Sequence, residues 1–159
     1  MARAKPPPVK AASSVDTPDE LEARFYEALR RGDIEQLMAV WADDDEIVCV
    51  HPGGGRVVGP GAIRATFEAM FSNGVIMAVP EQVHRLTWLG GSLHHLIERI
   101  EIATPQGTQM AWVMATNVYL KGPLGWRLAA HHASPGMAVQ PPTAGTGMGI
   151  GGDGPSTLH

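Results

Sequence analysis

The sequence contains a single cysteine, Cys49, among its 159 residues. One cysteine cannot form an internal disulfide, and Cys49 lies in an apolar run, which predicts a buried and unreactive thiol. Long apolar segments are also missing. No eighteen apolar residues occur in succession, and the first ten residues lack the apolar stretch of a secretory signal. These absences predict a soluble, cytoplasmic protein.

Clusters of lysine and arginine are absent from the part of the chain that shows regular hydrophobic periodicity. The formal net charge is -4, and the only basic run is short and lies near the N-terminus. Binding to nucleic acid or to an anionic membrane would require such clusters, so we expect neither partner. No compact ligand motif is present, and we therefore predict no metal or other cofactor. The alternative is a metal held by His51, His132 and a third ligand.

The composition predicts one domain between two tails. A chain of this length with 44% hydrophobic residues can form one core and is too short for two ordinary domains. Residues 1–16 are rich in Pro, Ala and Ser, and residues 136–159 are rich in Gly and Pro. Such segments bury little surface and lose much entropy when ordered, so both are predicted to be disordered. The domain is assigned to residues 17–135.

Capping signals predict three helices in the first half of this domain. Thr17 precedes a proline and stands three residues before a glutamate, a pattern typical of a helix start, and Gly32 ends the helix. Asp33 caps a second, shorter helix, and the Gly59-Pro60-Gly61 segment opens a third. The predicted helices cover residues 17–31, 33–41 and 60–72.

Strand signals dominate the rest of the domain. An apolar strand over 47–51 ends at His51, a Pro-Gly turn follows, and residues 56–58 form a short return strand. Four long strands, separated by glycine-containing turns, are then predicted over 75–89, 92–104, 108–121 and 125–133. The order of elements predicts an α+β fold in which three N-terminal helices pack on one face of a curved, mainly antiparallel sheet.

The strand over 110–120 is largely apolar on both faces. Trp112 and Met114 share one face, while Val113, Ala115 and Asn117 lie on the other. Helices can cover only one face of the sheet, which predicts that a second copy of the chain covers the Trp112/Met114 face. The alternative is that helix or tail residues of the same chain cover it.

The order of several short segments resembles the SnoaL-like and ketosteroid-isomerase-like members of the nuclear transport factor 2 (NTF2-like) superfamily. The resemblance covers roughly residues 17–135. It rests on the following segments: Ala28-Leu29-Arg30-Arg31-Gly32-Asp33, the acidic turn after Trp41, Val50-His51-Pro52-Gly53-Gly54, Gly59-Pro60-Gly61-Ala62-Ile63-Arg64 and Gly125-Trp126-Arg127-Leu128. The resemblance implies a cone-shaped barrel, usually dimeric, with an apolar pocket between sheet and helices.

The resemblance also implies roles for particular residues. In ketosteroid isomerases an aspartate before the proline of the equivalent turn is the general base, and here His51 takes that place. A histidine can do the same work, because its ordinary pKa of about 6.5 suits proton transfer near neutrality. The oxyanion-hole tyrosine of the first helix is matched to Phe25, which has no donor, while Tyr26 points about 100° away. The protonated acid of the penultimate strand is matched to Asn117, whose amide can still donate.

The remaining candidate site residues follow from strand faces. His131 and His132 lie on opposite faces of the last strand, and His132 shares its face with Trp126 and Leu128, so His132 is expected at the pocket mouth. The alternative is a structural ring bonded to backbone. The other expected pocket walls are Phe25, Trp41, Phe67 and Tyr119.

Several other polar residues are given structural roles. His84, His94 and His95 are expected at the surface or at an interface. Arg99 with a neighbouring glutamate could bind a carboxylate substrate, although cross-strand charge pairing explains these residues equally well.

The sequence thus predicts binding of a small apolar molecule in the pocket. Proton-transfer chemistry of the isomerase, aldol-type cyclase or lyase class would use His51 and Asn117 as its acid/base and donor groups. The alternative is a non-catalytic ligand-binding protein or a dimeric interaction module, because one fold hosts many functions.

Overall fold

The computed structural model describes residues 14–136, which form three helices and six strands. The predicted tail disorder falls almost entirely on residues 1–13 and 137–159, outside the described residues. The elements in chain order are α1 (Pro18–Arg31), α2 (Ile34–Val40), β1 (Val48–Val50), β2 (Arg56–Val58), α3 (Pro60–Phe71), β3 (Met77–Trp88), β4 (Gly91–Thr104), β5 (Gly107–Gly122) and β6 (Gly125–Pro135).

The helix ends follow the capping signals of the sequence. The Thr17 side chain accepts a hydrogen bond from the Glu20 backbone amide at 3.1 Å, and Pro18 occupies the first turn of α1. Gly32 ends α1 in the left-handed conformation at φ 62°, which costs glycine little. Asp33 then accepts from the Gln36 amide at 3.1 Å and starts α2. The predicted helices are confirmed to within one or two residues.

The strands form one six-stranded sheet in the order β2-β1-β6-β5-β4-β3. All neighbouring strands are antiparallel except β1 and β6, which run parallel. Because β2 and β3 are unpaired edges, the sheet is open and the predicted cone is not a closed barrel. The predicted α+β class, with three helices on a mainly antiparallel sheet, is confirmed.

The two faces of the sheet differ in what covers them. The helices pack on one face, here called the inner face, where β5 contributes the buried residues Val113, Ala115, Asn117 and Tyr119. The opposite residues, including Trp112 and Met114, are half-buried on the outer face. The core therefore lies between the helices and the inner face, and polar groups are buried within it.

A bulge in β6 decides which histidine points inward. Val118 pairs with Ala130 but Tyr119 pairs with Leu128, so Ala129 is an extra residue in the ladder. The extra residue reverses the alternation, and Leu128 and His131 both lie on the inner face. His132 is consequently exposed on the outer face, and the expectation that it faces the pocket is corrected.

Candidate functional site

A cavity of about 270 Å³ lies between α1, α3 and the inner face of the sheet. Its walls are mainly apolar. They are formed by Leu29, Pro52, Phe67, Met70, Ile76, Ile100, Ala111, Val113 and Ala133. Three titratable side chains also line it: His51, Glu98 and His131. An apolar cavity with a few convergent polar groups is the usual form of a small-molecule site, and this volume lies just below the ~300–1,000 Å³ range of ligand pockets.

His51 reaches the cavity because β1 ends one residue before it and the Pro52-Gly53 turn carries the chain away. Its ring packs edge-on against Phe67 with 4.8 Å between the ring centroids. His51 Nε2 lies 3.3 Å from Thr66 Oγ1, whose hydroxyl donates to the Ile63 carbonyl at 2.8 Å. Nε2 therefore carries the proton, and Nδ1 is left as an acceptor. Burial lowers the pKa of His51, so the ring is neutral at pH 7.

Glu98 is the unusual acid of the cavity. It lies on β4 and is only 5% exposed, yet no cation is bonded to it among the described residues. Its Oε1 accepts a hydrogen bond from Tyr26 Oη at 2.8 Å. Burial raises the pKa of Glu98 to about 7, the Tyr26 hydrogen bond opposes this rise, and the negative charge of Glu22 adds to it. Glu98 can therefore either hold or release a proton near neutral pH.

His131 connects the cavity to a buried chain of hydrogen bonds. Asn117 Nδ2 donates to Tyr26 Oη at 3.1 Å, so Asn117 Oδ1 faces His131 Nδ1 and accepts from it at 2.5 Å. Burial, with smaller contributions from His51 and His132, lowers the pKa of His131 to about 3. The ring is therefore neutral at pH 7, and its Nε2 lies 3.8 Å from Glu98 Oε1.

A second buried carboxylate, Glu22, lies on α1 one turn before Tyr26. Its Oε2 accepts hydrogen bonds from Tyr119 Oη at 2.8 Å and from His94 Nδ1 at 2.6 Å. Burial, reinforced by the Glu22 charge, raises the pKa of Tyr119 well above its usual value, so the phenol keeps its proton. None of these three side chains lines the cavity.

The structure brings some of the predicted site residues to the cavity and leaves others away from it. His51 and Phe67 line the cavity. Asn117 stands behind His131, and Phe25 packs against the His131 ring with 5.2 Å between the centroids. Tyr119 belongs to the Glu22 cluster rather than to the cavity wall.

Trp41, His132 and His94 lie outside the cavity. Trp41 is buried where α2 ends, next to Leu128 of β6, and does not line the cavity. His132 lines a groove of about 650 Å³ on the outer face, together with His95. The expectation that His94 is a surface or interface residue is wrong, since His94 is 1% exposed and bonded to Glu22.

Sequence reasoning missed Tyr26, Glu22 and His131 as parts of the site and gave Glu98 no catalytic role. The pattern Leu96-x-Glu98-x-Ile100 carried one usable signal, because it places a carboxylate on an apolar strand face. Arg99 points the other way and pairs with Glu81 at 2.7 Å and Glu101 at 3.0 Å, as the charge-pairing interpretation expects.

Within residues 14–136, no three His, Cys, Asp or Glu side chains converge as a metal site would require. His51 and His132 lie on opposite faces of the sheet, so they do not form the alternative metal site. No helix in the same range combines the length and the apolar character needed to cross a bilayer.

Solved structures with the same fold are numerous. A candidate calcium/calmodulin-dependent protein kinase type II association domain from Thiobacillus denitrificans is 32% identical, with a TM-score of 0.71, and the match covers 77% of this chain and 97% of that one. A candidate dehydratase of the NTF2-like family from Streptomyces avermitilis is 31% identical, with a TM-score of 0.67 and coverage of 74% and 93%. An NTF2-like protein of unknown function from Pseudomonas putida, at 20% identity and a TM-score of 0.66, covers 77% and 93% and shares the fold.

Sequence comparison agrees with the structural similarity. No curated protein matches the sequence significantly. The profile of the SnoaL-like domain matches residues 19–139, which include all six strands and all three helices except Pro18, the first residue of α1. The chain therefore belongs to the SnoaL-like domain family of the NTF2-like superfamily.

Proposed function

We propose that the protein binds a small, largely apolar carbonyl compound in the inner cavity and catalyses proton transfer on it. The proposal rests on one observation: a neutral His51 and a buried Glu98 line the same cavity, whose other walls are mainly apolar. Proton abstraction next to a carbonyl needs a base and a donor to the developing oxyanion in one dry site. The cavity offers both.

His51 is the proposed base. Its Nδ1 has no protein partner among residues 14–136, while the Nε2 proton is held by Thr66. Nδ1 takes the proton from the carbon next to the carbonyl. The resulting imidazolium returns it to another carbon or, when the enolate carbon attacks a second carbonyl group, gives it to the alkoxide oxygen that this addition forms. No oxidant or reductant is needed.

Glu98 in its protonated form is the proposed donor to the carbonyl oxygen. Oε1 already accepts the Tyr26 hydroxyl, so the acidic proton belongs on Oε2. A carboxylic acid held neutral in an apolar site can stabilise an oxyanion by hydrogen bonding. Asn117 acts indirectly in this scheme, because it orients both Tyr26 and His131.

The similarity to a candidate dehydratase is compatible with this chemistry, because elimination of water also requires one group that removes a proton and another that supplies one. The bound molecule is small, since the cavity measures about 270 Å³.

Hydrogen–deuterium exchange tests the proposed chemistry without knowledge of the natural substrate. Cyclohexanone in D₂O is incubated with the protein, and loss of its α-proton signal is followed by NMR. We expect Glu98→Gln and His51→Ala each to slow the catalysed exchange by about 10²–10⁴-fold. Glu101→Gln on the outward side of the same strand is the matched control and should keep the rate.

Two results decide against catalysis. An unchanged exchange rate in Glu98→Gln or His51→Ala removes that residue from the chemistry. If cyclohexanone raises the melting temperature of the wild-type protein but its protons do not exchange faster, the cavity is a non-catalytic binding site.

We further propose that a second copy of the chain covers the outer face. Trp112 and Met114 are half-buried there, Met110 is 41% exposed and Leu120 is 45% exposed, so several apolar side chains on one face of β5 are accessible to solvent. The similarity to a candidate kinase association domain supports an assembling role. In light scattering we expect a dimer that Trp112→Glu converts to monomer, whereas Leu124→Glu, at a 71% exposed turn position, leaves it intact. A monomeric wild-type protein would refute the proposal.

A further inference from the structure

His131 lines the cavity, yet the proposed chemistry gives it no contact with the bound molecule. The residue is 4% exposed, and Phe25 packs against its ring. Its Nδ1 lies 2.5 Å from Asn117 Oδ1, but its Nε2 has no hydrogen-bond partner among residues 14–136. Glu98 Oε1, at 3.8 Å from Nε2, is beyond hydrogen-bonding distance. The protein therefore uses only one of the two ring nitrogens of this buried histidine.

The Nε2 atom of His131 is open to the cavity. In the part of the chain that the structure describes, Trp41 Nε1 is the only fully enclosed side-chain nitrogen or oxygen without a hydrogen-bond partner. His131 Nε2 also lacks a partner, so it borders accessible space, and the cavity is the space that its side chain reaches on the inner face. A buried polar atom that faces a cavity without a protein partner is available to a ligand.

The hydrogen bonds behind His131 determine which of its nitrogens carries the proton. Tyr26 Oη donates its single proton to Glu98 Oε1 at 2.8 Å, so toward Asn117 it can only accept. Asn117 therefore turns Nδ2 to Tyr26, at 3.1 Å, and Oδ1 to His131 Nδ1. Because an amide oxygen only accepts, the proton is on Nδ1. Burial lowers the pKa of His131 to about 3, so the ring is neutral at pH 7 and Nε2 keeps its lone pair.

We propose that His131 Nε2 accepts a hydrogen bond from a hydroxyl group of the bound molecule, so that the preferred ligand is an α-hydroxy ketone rather than a simple ketone. This inference rests on the proposed binding of a carbonyl compound beside Glu98. The carboxyl group supplies a donor to the carbonyl oxygen, and the imidazole nitrogen 3.8 Å from Glu98 Oε1 supplies an acceptor. Two oxygens on adjacent carbons of one small molecule suit such a short separation. His131 is then a specificity-determining residue.

The apolar walls of the cavity strengthen this selection. A ligand hydroxyl that enters a mainly apolar cavity loses its hydrogen bonds to water, which is costly unless a protein acceptor replaces them. Among the described residues that line the cavity, His51 and His131 are the two that offer a ring nitrogen. His51 Nδ1 takes the proton from carbon in the proposed chemistry, which leaves Nε2 of His131 for the hydroxyl. A simple ketone would leave Nε2 without a partner.

Two ligands that differ by one hydroxyl group test the inference. The dissociation constants of cyclohexanone and 2-hydroxycyclohexanone are measured with the full-length protein by NMR titration. We expect the hydroxy ketone to bind about 3–10-fold more tightly, the range that one hydrogen bond contributes. His131→Phe keeps an aromatic ring without an acceptor and should abolish the preference. His132→Phe, one residue further along β6 and on the outer face, is the matched control and should retain it.

Nitrogen NMR of the wild-type protein labelled with ¹⁵N-histidine provides a readout that does not depend on the folding of a variant. We expect His131 to carry its proton on Nδ1, and 2-hydroxycyclohexanone to shift the Nε2 resonance more than cyclohexanone does. A proton on Nε2 overturns the inference, because the nitrogen that faces the cavity would then be a donor. Equal dissociation constants for the two ketones in the wild type, or an undiminished preference in His131→Phe, overturns it as well.

Failure of this inference and failure of the proposed function give different results. A preference for the hydroxy ketone without faster exchange of α-protons refutes the catalysis and leaves the role of His131 in place. Faster exchange of cyclohexanone with equal binding of both ketones refutes the hydroxyl site and leaves the chemistry in place. If neither ketone binds, both proposals are wrong.

Discussion

The two buried carboxylates have similar partners but different surroundings. Each accepts a hydrogen bond from a tyrosine, at 2.8 Å in both cases, and each has a histidine nearby. The histidine nitrogen lies 2.6 Å from Glu22 but 3.8 Å from Glu98, and only Glu98 borders the cavity. The same residue types thus give Glu22 two close hydrogen-bond partners and leave Glu98 with one, beside a cavity.

This difference shows that the number and distance of donors, rather than burial alone, separate the two acids. Glu22 and Glu98 are equally exposed, at 5% each. A buried carboxyl group whose hydrogen bonds are all made within the core has a structural role, whereas one with a single donor and an adjacent cavity can take part in proton transfer.

The largest expected effect comes from removing the close histidine. His94→Ala leaves the buried Glu22 side chain with one hydrogen-bond partner instead of two, so we expect a loss of about 3 kcal/mol in the free energy of unfolding. His95→Ala, on the outer face of the same strand, is the control and should cost less than ~1 kcal/mol. Urea denaturation measures both. Equal losses in the two variants would show that the Glu22–His94 contact is not a strong one.

A second prediction concerns the pH dependence of stability. The folded-state pKa of Glu98, about 7, is above the ordinary value of 4.5. Glu98 therefore contributes stability that is fully present below pH 4.5 and is lost as the pH rises through about 7, by up to ~3 kcal/mol. Glu98→Gln should lack this loss. Unfolding free energies at pH 4.5, 6 and 8 check it, with Glu101→Gln expected to follow the wild type.

The smallest expected effects compare the two tyrosines. Tyr26→Phe and Tyr119→Phe should each cost about 1–3 kcal/mol in the free energy of unfolding. The first leaves Glu98 Oε1 and the Asn117 amide without their hydrogen bond to Tyr26, and the second removes one of the two hydrogen bonds to Glu22. Only Tyr26→Phe should raise the pKa of Glu98, since the Tyr26 bond lowers it. Urea denaturation and a carboxyl-carbon NMR titration measure the two quantities. A Glu98 pKa that rises equally in both variants would mean that the Tyr26 hydrogen bond has no specific effect on Glu98.

The fold could be predicted from the sequence because its determinants are local. The Thr17 cap, the left-handed Gly32 and the Asp33 cap each act within four residues, and the structure shows each of them. The glycine turns between the long strands are equally local, so the strand boundaries differ little from the prediction.

The site could be predicted only in part because its determinants are not local. Tyr26 and Asn117 are 91 residues apart in sequence, and Glu22 and His94 are 72 apart. Helical geometry also misled the assignment on α1, where both Phe25 and Tyr26 are fully buried because the helix is covered on two sides. His51 was recognisable because the end of an apolar strand marks it.

The bulge at Ala129 determines which of two adjacent histidine side chains faces the helices. His131 and His132 are chemically identical, and a single extra residue determines which one meets the cavity and which one meets the outer groove. Pairing Ala129 opposite Val118, a register slip of one residue that removes the bulge, would turn His132 inward and His131 outward. A histidine doublet thus makes this strand tolerant of one-residue slips, which in a strand with a single histidine would empty the inner position.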